Sequence, residues 1–348
     1  MEGAACRRPL FLHLIYLSRK ECRKTYSANH LLDKVNAYLE QMPYDRPPHG
    51  LYEPIAYELS LGGKRIRPVL MLMAYNLYKE DVDSILSQAA GLETYHNHTL
   101  LHDDVMDKAD MRRNKPTVHN VWNENTAILS GDAMLILAYR LMADCPKDKL
   151  AEVLGIFTET TMQICEGQQW DMEFETRQDV KVDEYVEMIR LKTSVLLAAA
   201  LQIGACLAGA PAEDAQKLYD FGVKMGLAFQ LQDDWLDVYG DPKVFGKNIG
   251  GDILCNKKTY MLITALQLAD DEQRAQLEGW LRADEYEPAE KIAAVTAIYN
   301  QVGVGQRCEE LVEAYYKEGL AVLDSVALPA ERKEALKNFA CSLMNRKV

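Results

Sequence analysis

Two long stretches without proline most constrain the fold of this chain, because residues 147–210 and 212–241 contain none. A proline inside a helix removes a backbone hydrogen bond and clashes with the preceding turn, so these stretches can form long uninterrupted helices. Side chains of one helix face recur at three- and four-residue steps at Val153, Ile156, Phe157, Thr160 and Ile164. No linker and no repeat of fixed period divides the chain. We therefore predict an all-α fold in one large domain.

The balance of charges argues against two classes of function. The 348 residues carry 39 basic and 52 acidic side chains, a formal net charge of −13. Nucleic-acid-binding proteins instead present clustered Lys and Arg side chains. No uncharged apolar run reaches the roughly 18–20 residues that cross a bilayer. We therefore predict neither a nucleic-acid partner nor a membrane span.

The N-terminal segment 1–27 differs in composition from the rest of the chain. Six basic but only two acidic residues surround its apolar run at 9–17. This pattern resembles a targeting segment, but no small-x-small cleavage site follows it. We predict a poorly ordered extension, followed by a single domain over residues 28–348. The eight cysteines are scattered without a C-x-x-C pair, which indicates reduced thiols and a cytoplasmic location.

An acidic cluster lies on the apolar face of a predicted helix. The sequence predicts one helix over 83–107, whose apolar stripe ends on the three carboxylates of Asp103, Asp104 and Asp107. Like charges three and four residues apart destabilise a helix. The cluster recurs downstream, where Gln230, Asp233, Asp234 and Asp237 share one helix face.

Two such clusters predict a metal-dependent diphosphate site. Mg²⁺ keeps several waters and is typically held by one or two carboxylates together with the phosphate oxygens of a substrate. Several Mg²⁺ ions between the two clusters would also allow an acidic protein to bind an anionic substrate.

Basic residues interleave with the acidic clusters along the chain. Two glycines and a proline bracket three cations in Gly-Gly-Lys-Arg-Ile-Arg-Pro at 62–68, at a predicted helix N-terminus that itself attracts anions. Arg112-Arg113 follow the first acidic cluster, Lys192 precedes the second, and Lys247 and Lys257-Lys258 follow the second. Lys192-Thr193 is predicted to open an apolar helix. Together they indicate two anion sites rather than one.

With these motifs in this order, the sequence resembles the trans-isoprenyl diphosphate synthases, the family of farnesyl and geranylgeranyl diphosphate synthases. The resemblance runs from about Leu31 to the C-terminus. Besides the motifs above, it includes Gly131-Asp132, Gly167-Gln168, Phe229-Gln230 and Gly246-Lys247. It implies an isoprenoid synthase helical bundle around a deep central cavity, usually a homodimer, with Mg²⁺ bridging an allylic diphosphate to both acidic clusters.

The resemblance also implies a role for each site residue. The leading metal ligands would be Asp103, Asp107 and Asp233, supported by Asp104, Asp234 and Asp237. The allylic diphosphate would be held by Arg112, Lys192, Lys247 and Lys257. Isopentenyl diphosphate would be held by Lys64, Arg67, His96 and Arg113. Thr193 and Gln230 would face the allylic cation with their oxygens, and the basic Arg346-Lys347 tail would close over the site.

Product length is predicted from residues just before the first cluster. In the family, the residues four and five positions before Asp103 form the floor of the cavity; here they are Thr99 and His98. Tyr95 lies about one further turn deeper on the same helix. The intermediate size of His98 predicts a mainly farnesyl (C15) product, with geranylgeranyl (C20) as the alternative.

Two other classes of function compete with this interpretation. His96, His98 and His102 precede Asp103 as in all-α metal phosphohydrolases, but that hypothesis leaves the second acidic cluster and the 62–68 motif unexplained. A noncatalytic helical binding protein would have to retain both clusters without metals. We interpret His102 as a hydrogen-bond donor that supports Asp103. Gln168 and Asp171 have two interpretations. They either orient Lys192 or a metal-bound water, or they belong to a surface face of the helix without a role in the site.

Overall fold

The computed structural model describes residues 24–241 and 249–344. Lys247, the Arg346-Lys347 tail and residues 1–23 of the predicted extension lie outside the described residues. The first described residues follow the surface of the bundle. The backbone N–H of Tyr26 donates to Asn76 Oδ1 at 2.9 Å, and the Asn76 side chain donates to the Lys24 carbonyl at 3.1 Å.

The predicted all-α fold is confirmed. The helices, in chain order, are α1 (Ala28–Glu40), α2 (His49–Ser60), α3 (Ile66–Asn76), α4 (Leu86–Met106), α5 (Val118–Val121), α6 (Glu124–Met142), α7 (Leu150–Thr176), α8 (Val182–Ile189), α9 (Val195–Leu207), α10 (Ala212–Tyr239), α11 (Gly251–Leu254), α12 (Tyr260–Leu268), α13 (Asp271–Arg282), α14 (Pro288–Val302), α15 (Val304–Asp324) and α16 (Ala330–Met344). Both proline-free stretches became long helices, and α10 alone has 28 residues.

One short antiparallel hairpin is the only sheet in the described residues. Its strands are β1 (Met111–Arg112) and β2 (Lys115–Pro116). The two turn residues, Arg113 and Asn114, have φ values of 51° and 62°. Two positive φ angles in a two-residue loop match the right-handed twist of the strands. The hairpin directs the side chains of the adjacent arginines to different partners.

Two details of the predicted helices are wrong. Residues 83–107 do not form one helix, because a 3₁₀ turn at Val82–Ile85 precedes α4. Lys192-Thr193 does not open a helix either, because it lies in a π-helical segment at Arg190–Ser194 between α8 and α9. Gly167 of α7 packs directly on this segment, and a Cβ there would lie 2.4 Å from the Lys192 backbone nitrogen. The wider turn and the missing side chain allow this close approach.

The core is divided into two apolar clusters that share α10. The larger cluster buries residues of α3, α4, α6 and α9 against the first half of α10, including Phe221 and Met225. The smaller cluster buries α8, α12 and α14 against the second half, at Leu227 and Leu231. Because α10 belongs to both apolar clusters, its position relative to α4 is fixed. The acidic cluster on α10 is therefore fixed relative to the acidic cluster on α4.

One apolar segment is long enough to cross a membrane by length and composition. It spans Val182–Leu207, which comprises α8, the π-helical segment and α9, and 78% of its most apolar window is buried inside the fold. Its apolar side chains therefore pack against neighbouring helices, as expected for a core helix.

Candidate active site

Both acidic clusters contribute to one cavity of about 590 Å³. Asp103 reaches it from α4, and Asp233 reaches it from α10. Four cations line the same cavity, namely Arg67, Arg112, Arg113 and Lys192. The rest of the wall mixes polar side chains with apolar ones, which include Ile164, Leu196 and Phe229. A cavity of this size with a few convergent polar groups is typical of a small-molecule site.

The environment of Asp103 favours a bound cation. Burial raises the pKa of this carboxyl, and the like charges of Asp107 and Asp104 raise it further, while Lys192 and Arg112 oppose the shift. A hard divalent cation would relieve this repulsion. Asp107 lies exposed at the C-terminal end of α4.

Asp104, which follows Asp103 directly, has a different environment. Its side chain is only 2% exposed, and it accepts two hydrogen bonds from Arg112, from Nε at 2.7 Å and from Nη2 at 2.6 Å. A bidentate pair of this kind fixes the guanidinium group in place. Asp104, which the sequence analysis expected to support the metal site, therefore positions the guanidinium group of Arg112 at the cavity wall.

Two acids of the second cluster also have protein partners. Asp234 is buried and accepts a hydrogen bond from the Tyr185 hydroxyl. Burial raises the pKa of Asp234 to about 7; the charge of Asp252 adds to this shift, and the Tyr185 hydrogen bond opposes it. Asp237 accepts the backbone N–H of Asp252 at 3.0 Å. Asp234 therefore links the second acidic cluster to α8, and Asp237 links it to the segment that follows α10.

Asp252, which the sequence analysis missed, lies next to the second acidic cluster, where its backbone N–H donates to Asp237. Burial lowers the pKa of Lys257, but the carboxylates of Asp252, Asp171, Asp234 and Asp107 offset this and raise it overall. Lys257 therefore lies within the electrostatic reach of both acidic clusters, although it does not line the cavity. The sequence signal that could have indicated Asp252 is the position of this acid two residues after Gly250. Gly250 has a φ of 82° and precedes the first residue of α11.

The described Asp, Glu, His and Cys side chains form no group of three that could enclose a metal ion by themselves. Magnesium typically binds one or two carboxylates and takes further oxygens from substrate phosphates. Asp103 and Asp233, which reach one cavity from two helices, are donors of the kind that Mg²⁺ uses.

Lys192 is held in place by an acid on the neighbouring helix. Its Nζ lies 2.6 Å from Asp171 Oδ2 of α7, the contact expected if Asp171 orients Lys192. Next to it, the Thr193 hydroxyl donates to Gln230 Oε1 at 3.3 Å. Gln168 lines the cavity beside these residues.

The loop at 62–65 carries the second group of cations. A Cβ at Gly63 would lie 2.8 Å from Arg113 Nη2, so only glycine allows this guanidinium to pack on the loop. Arg113 also donates to the Gly62 carbonyl. Lys64 is exposed and does not line the cavity, whereas Arg65 is buried against Glu93 at 2.7 Å.

His96 acts as an acceptor towards Arg67. Arg67 Nη1 lies 3.1 Å from His96 Nε2, and because arginine can only donate, this nitrogen carries no proton. Burial and the positive charges of Arg67, Arg113 and Arg112 hold the pKa of His96 well below its usual value. The neutral imidazole thus fixes one of the cations that the sequence assigns to isopentenyl diphosphate.

All three residues predicted to set product length line the cavity. His98 Nδ1 lies 2.9 Å from the Gly131 carbonyl, which can only accept, so this nitrogen carries the proton. Burial lowers the pKa of His98 to about 4, so the ring is neutral. Tyr95 packs edge to face on Phe157 of α7, with ring centroids 5.4 Å apart. Phe157 is a second aromatic residue below the cavity, which the sequence analysis treated only as core.

His102 does not take the partner that the sequence predicted. Its Nε2 lies 3.1 Å from the Ile128 carbonyl and 3.9 Å from the Asp132 carboxylate, both on α6. This nitrogen therefore does not support Asp103. The packing of α6 against α4 decided the partner of this nitrogen.

Comparison with known proteins identifies the family. A family model described as polyprenyl synthetase matches residues 48–300. The chain is 44% identical over 228 residues to the short chain isoprenyl diphosphate synthase of Methanocaldococcus jannaschii, covering 65% of this chain and 69% of that one. It is 35% identical to the geranylgeranyl diphosphate synthase of Methanosarcina mazei, covering 88% and 93%. Other relatives are named farnesyl and geranylfarnesyl diphosphate synthases.

The solved structures agree with this assignment. A crystal structure of a geranylgeranyl pyrophosphate synthase matches with a TM-score of 0.89 and 42% identity, covering 93% of this chain and 100% of that one. The helical bundle and its cavity define a prenyltransferase. The chain belongs to the polyprenyl synthetase family, the trans-isoprenyl diphosphate synthases, which confirms the resemblance seen in the sequence.

Proposed function

We propose that this prenyltransferase condenses isopentenyl diphosphate with dimethylallyl or geranyl diphosphate to give a short all-trans product. The observation that supports it most directly is that Asp103 and Asp233 line one cavity together with Lys192 and Arg112. Carboxylates from two helices and cations at one wall are what a magnesium-bound allylic diphosphate requires.

Bound Mg²⁺ would stabilise the charge that develops on the departing diphosphate. We assign its binding to Asp103, Asp107 and Asp233, with Asp104, Asp234 and Asp237 in support. Arg112 and Lys192, each held by a carboxylate, would bind the remaining oxygens of the allylic diphosphate, with Lys257 and Lys247. Because these cations are already oriented, little reorganisation is needed when the diphosphate leaves.

The second substrate would bind beside the 62–65 loop. Arg67, Arg113 and His96 line the cavity there, and Lys64 is exposed on the same loop. This diphosphate stays intact in the reaction and needs only cationic donors. Its double bond would attack the allylic cation, and the proton lost afterwards would pass to the departed diphosphate.

The allylic cation would form beside Thr193 and Gln230. Their side chains are linked by the 3.3 Å hydrogen bond described above, so their oxygens stay near the reacting carbon. The apolar side chains of the cavity, such as Leu196 and Phe229, would limit the access of water, which would otherwise convert the cation to an alcohol. We therefore assign Lys192, Thr193 and Gln230 to the chemical step.

We propose farnesyl diphosphate as the main product and geranylgeranyl diphosphate as the alternative. His98, backed by Tyr95 and Phe157, supports the shorter product, whereas the names of several relatives support the longer one. Chromatography of products made from labelled isopentenyl diphosphate, with each allylic primer supplied in turn, tests both the reaction and the length. Recovery of labelled isopentenyl diphosphate alone would refute the proposal.

A phosphohydrolase is the less favoured function. It would leave Asp233 and Arg67, which line the same cavity as His98 and His102, without a role. Release of inorganic phosphate from a simple phosphate ester, without isopentenyl diphosphate, would support it instead.

We also propose a homodimer in the cytoplasm. The exposed large side chains of α6 include Leu129 and Ile136, which are 61% and 70% exposed, and such a row of apolar residues on one helix supports a protein interface. The six cysteines in the described residues are free thiols, which supports a reducing compartment. Sedimentation of the full chain tests the oligomeric state.

A further inference from the structure

Lys291 is a buried cation without a role in the function proposed above. Its exposed fraction is 0%, and it lies near the N-terminal end of α14, where the helix dipole disfavours a positive charge. Lysine is rarely buried so completely unless a partner compensates for the lost hydration. The partners of Lys291 therefore indicate what the buried charge does.

In the described part of the chain, the ammonium group of Lys291 interacts with a side-chain amide and with an aromatic ring. Its Nζ donates to Asn256 Oδ1 at 2.7 Å. It also lies 4.1 Å from the ring centroid of Tyr286, which is within the range of a cation–π attraction. The Tyr286 hydroxyl in turn donates to the Leu254 carbonyl at 3.1 Å. Lys291 and Tyr286 thus both bind the C-terminal end of α11 and the turn that follows it.

Asn256 closes this end of α11 in a left-handed conformation, with a φ of 54°. Its N–H donates to the Ile253 carbonyl at 3.2 Å, and the N–H of Lys257 donates to the Asp252 carbonyl at 2.9 Å. These are the two hydrogen bonds of a Schellman motif, in which glycine is the usual left-handed residue. An asparagine at this position adds a side chain, and its Oδ1 is the atom that accepts from Lys291.

The same turn connects Lys257 to the second acidic cluster. Asp252, whose carbonyl accepts from Lys257, donates its own N–H to Asp237 Oδ2 at 3.0 Å. An acid of the cluster therefore holds the first turn of α11, while Lys291 holds its C-terminal end through Asn256. Hydrogen bonds thus run without a gap from the buried ammonium group to the metal site that we propose.

The turn is packed closely as well as hydrogen-bonded. Asn256 Nδ2 donates to the Leu281 carbonyl of α13 at 3.1 Å, so the amide binds on both sides. A cavity of about 10 Å³, which has room for about one water, is lined by this turn and by Lys291. The backbone of the turn therefore has little freedom to take another conformation.

We propose that Lys291 is a positioning residue, whose hydrogen bond to Asn256 fixes the left-handed turn that presents Lys257 to the allylic diphosphate. The inference rests on the proposed function, because it assigns Lys291 to one substrate of that reaction. Lys257 follows Asn256 directly, so a change in the Asn256 backbone angles would redirect the Lys257 side chain. A turn that is fixed in advance reduces the ordering that substrate binding has to bring about.

Lys291→Met tests the proposal, because methionine retains most of the side-chain length and removes the ammonium group. We expect the KM for the allylic diphosphate to rise about five- to tenfold, a coupling typical of residues in one hydrogen-bond network. The KM for isopentenyl diphosphate should stay within about twofold, because its proposed cations lie on other elements. The melting temperature should change little, because the lost hydrogen bond is offset by the removal of a buried charge.

Asn256→Gly removes the same contact from the other side. Glycine adopts the left-handed conformation without strain but offers no oxygen to Lys291. This variant should raise the same Michaelis constant to a similar extent, and Lys291→Met added to it should raise that constant no further. It provides the same test if Lys291→Met does not fold.

A second measurement asks whether Lys291 acts through Lys257. Calorimetry with geranyl diphosphate and Mg²⁺, without isopentenyl diphosphate, measures binding in the absence of turnover. Lys291→Met should weaken this binding in the wild-type background but not in Lys257→Met, where the side chain to be positioned is already missing. Lys317→Met is the matched control, because it makes the same change at an exposed position of α15. It should leave both Michaelis constants unchanged.

Three results would overturn the inference: an unchanged KM for the allylic diphosphate in Lys291→Met or Asn256→Gly, an equal rise in both Michaelis constants, or a further loss of geranyl diphosphate binding when Lys291→Met is added to Lys257→Met. The wild-type chain, assayed alongside, separates this inference from the proposed function. An active wild type with one of these three results refutes only the role of Lys291. A wild type without prenyl transfer refutes both.

Discussion

Arg112 and Asp104, eight residues apart, form a bidentate ion pair at 2.7 and 2.6 Å behind the wall of the cavity. The acid comes from α4 and the arginine from β1 of the hairpin that follows it. The pair divides the first acidic cluster, since Asp103 lines the cavity whereas Asp104 faces a cation. Loss of the Asp103 carboxylate would thus remove a group from the cavity, whereas loss of the Asp104 carboxylate would remove the partner of Arg112.

Asp103→Ala or Asp233→Ala should lower turnover by roughly a thousandfold, because each removes a carboxylate from the proposed metal site. Burial and like charges raise the pKa of Asp103, so its ionised form destabilises the fold at neutral pH, and its removal should leave the melting temperature unchanged or higher. Turnover and thermal unfolding measure the two effects. Asp220→Ala, at an exposed position of α10, is the control. Near-normal turnover in both variants would contradict the two-cluster site.

Arg112→Ala and Arg113→Ala should separate the two substrates. The first should raise mainly the KM for the allylic diphosphate and the second mainly that for isopentenyl diphosphate, each by roughly ten- to a hundredfold, the value of a charge-assisted hydrogen bond. The physical reason is that the hairpin gives them different partners, Asp104 and the Gly62 carbonyl. Kinetics with each substrate varied in turn decide it. Equal effects on both constants would count against the assignment.

Asp171→Asn should raise the KM for the allylic diphosphate by about fivefold, because Lys192 loses the charge that orients it. The 2.6 Å contact between them is the basis for this expectation. Steady-state kinetics provide the measurement, and Glu175→Gln, an exposed acid on the same helix, is the control. If both variants behave like the wild type, Lys192 is oriented by its π-helical backbone alone.

His98→Ala should lengthen the product by about one isoprene unit, because one helical turn rises about 5.4 Å, which is similar to the length of that unit. Tyr95, backed by Phe157, should stop further growth. Product chromatography under excess isopentenyl diphosphate measures the distribution. Ser87→Ala, also on α4 but three turns or so from the cavity floor, serves as the control. An unchanged distribution in His98→Ala would mean that Thr99, Tyr95 or α7 sets the floor.

Much of the fold and of the site could be predicted because the relevant signals are local. Proline-free stretches with helical spacing predict long helices, and α7 and α10 confirm this. The motifs around Asp103 and Asp233 are likewise short, and both reach the same cavity. The 3₁₀ turn before α4 and the π-helical segment at Lys192 could not be predicted, because close contacts with neighbouring helices determine them.

The sequence by itself determined the helical class and the family, since periodicity and motif spacing are properties of short segments. Only the tertiary structure decided which partner each charged side chain has. Consecutive residues of a helix point about 100° apart, so Asp103 and Asp104 face different surroundings, and these surroundings come from segments distant in the chain. Lys192 with Asp171 and His102 with Ile128 are pairs of this kind. Packing brings such partners together, and no local sequence pattern encodes which partner a side chain will have.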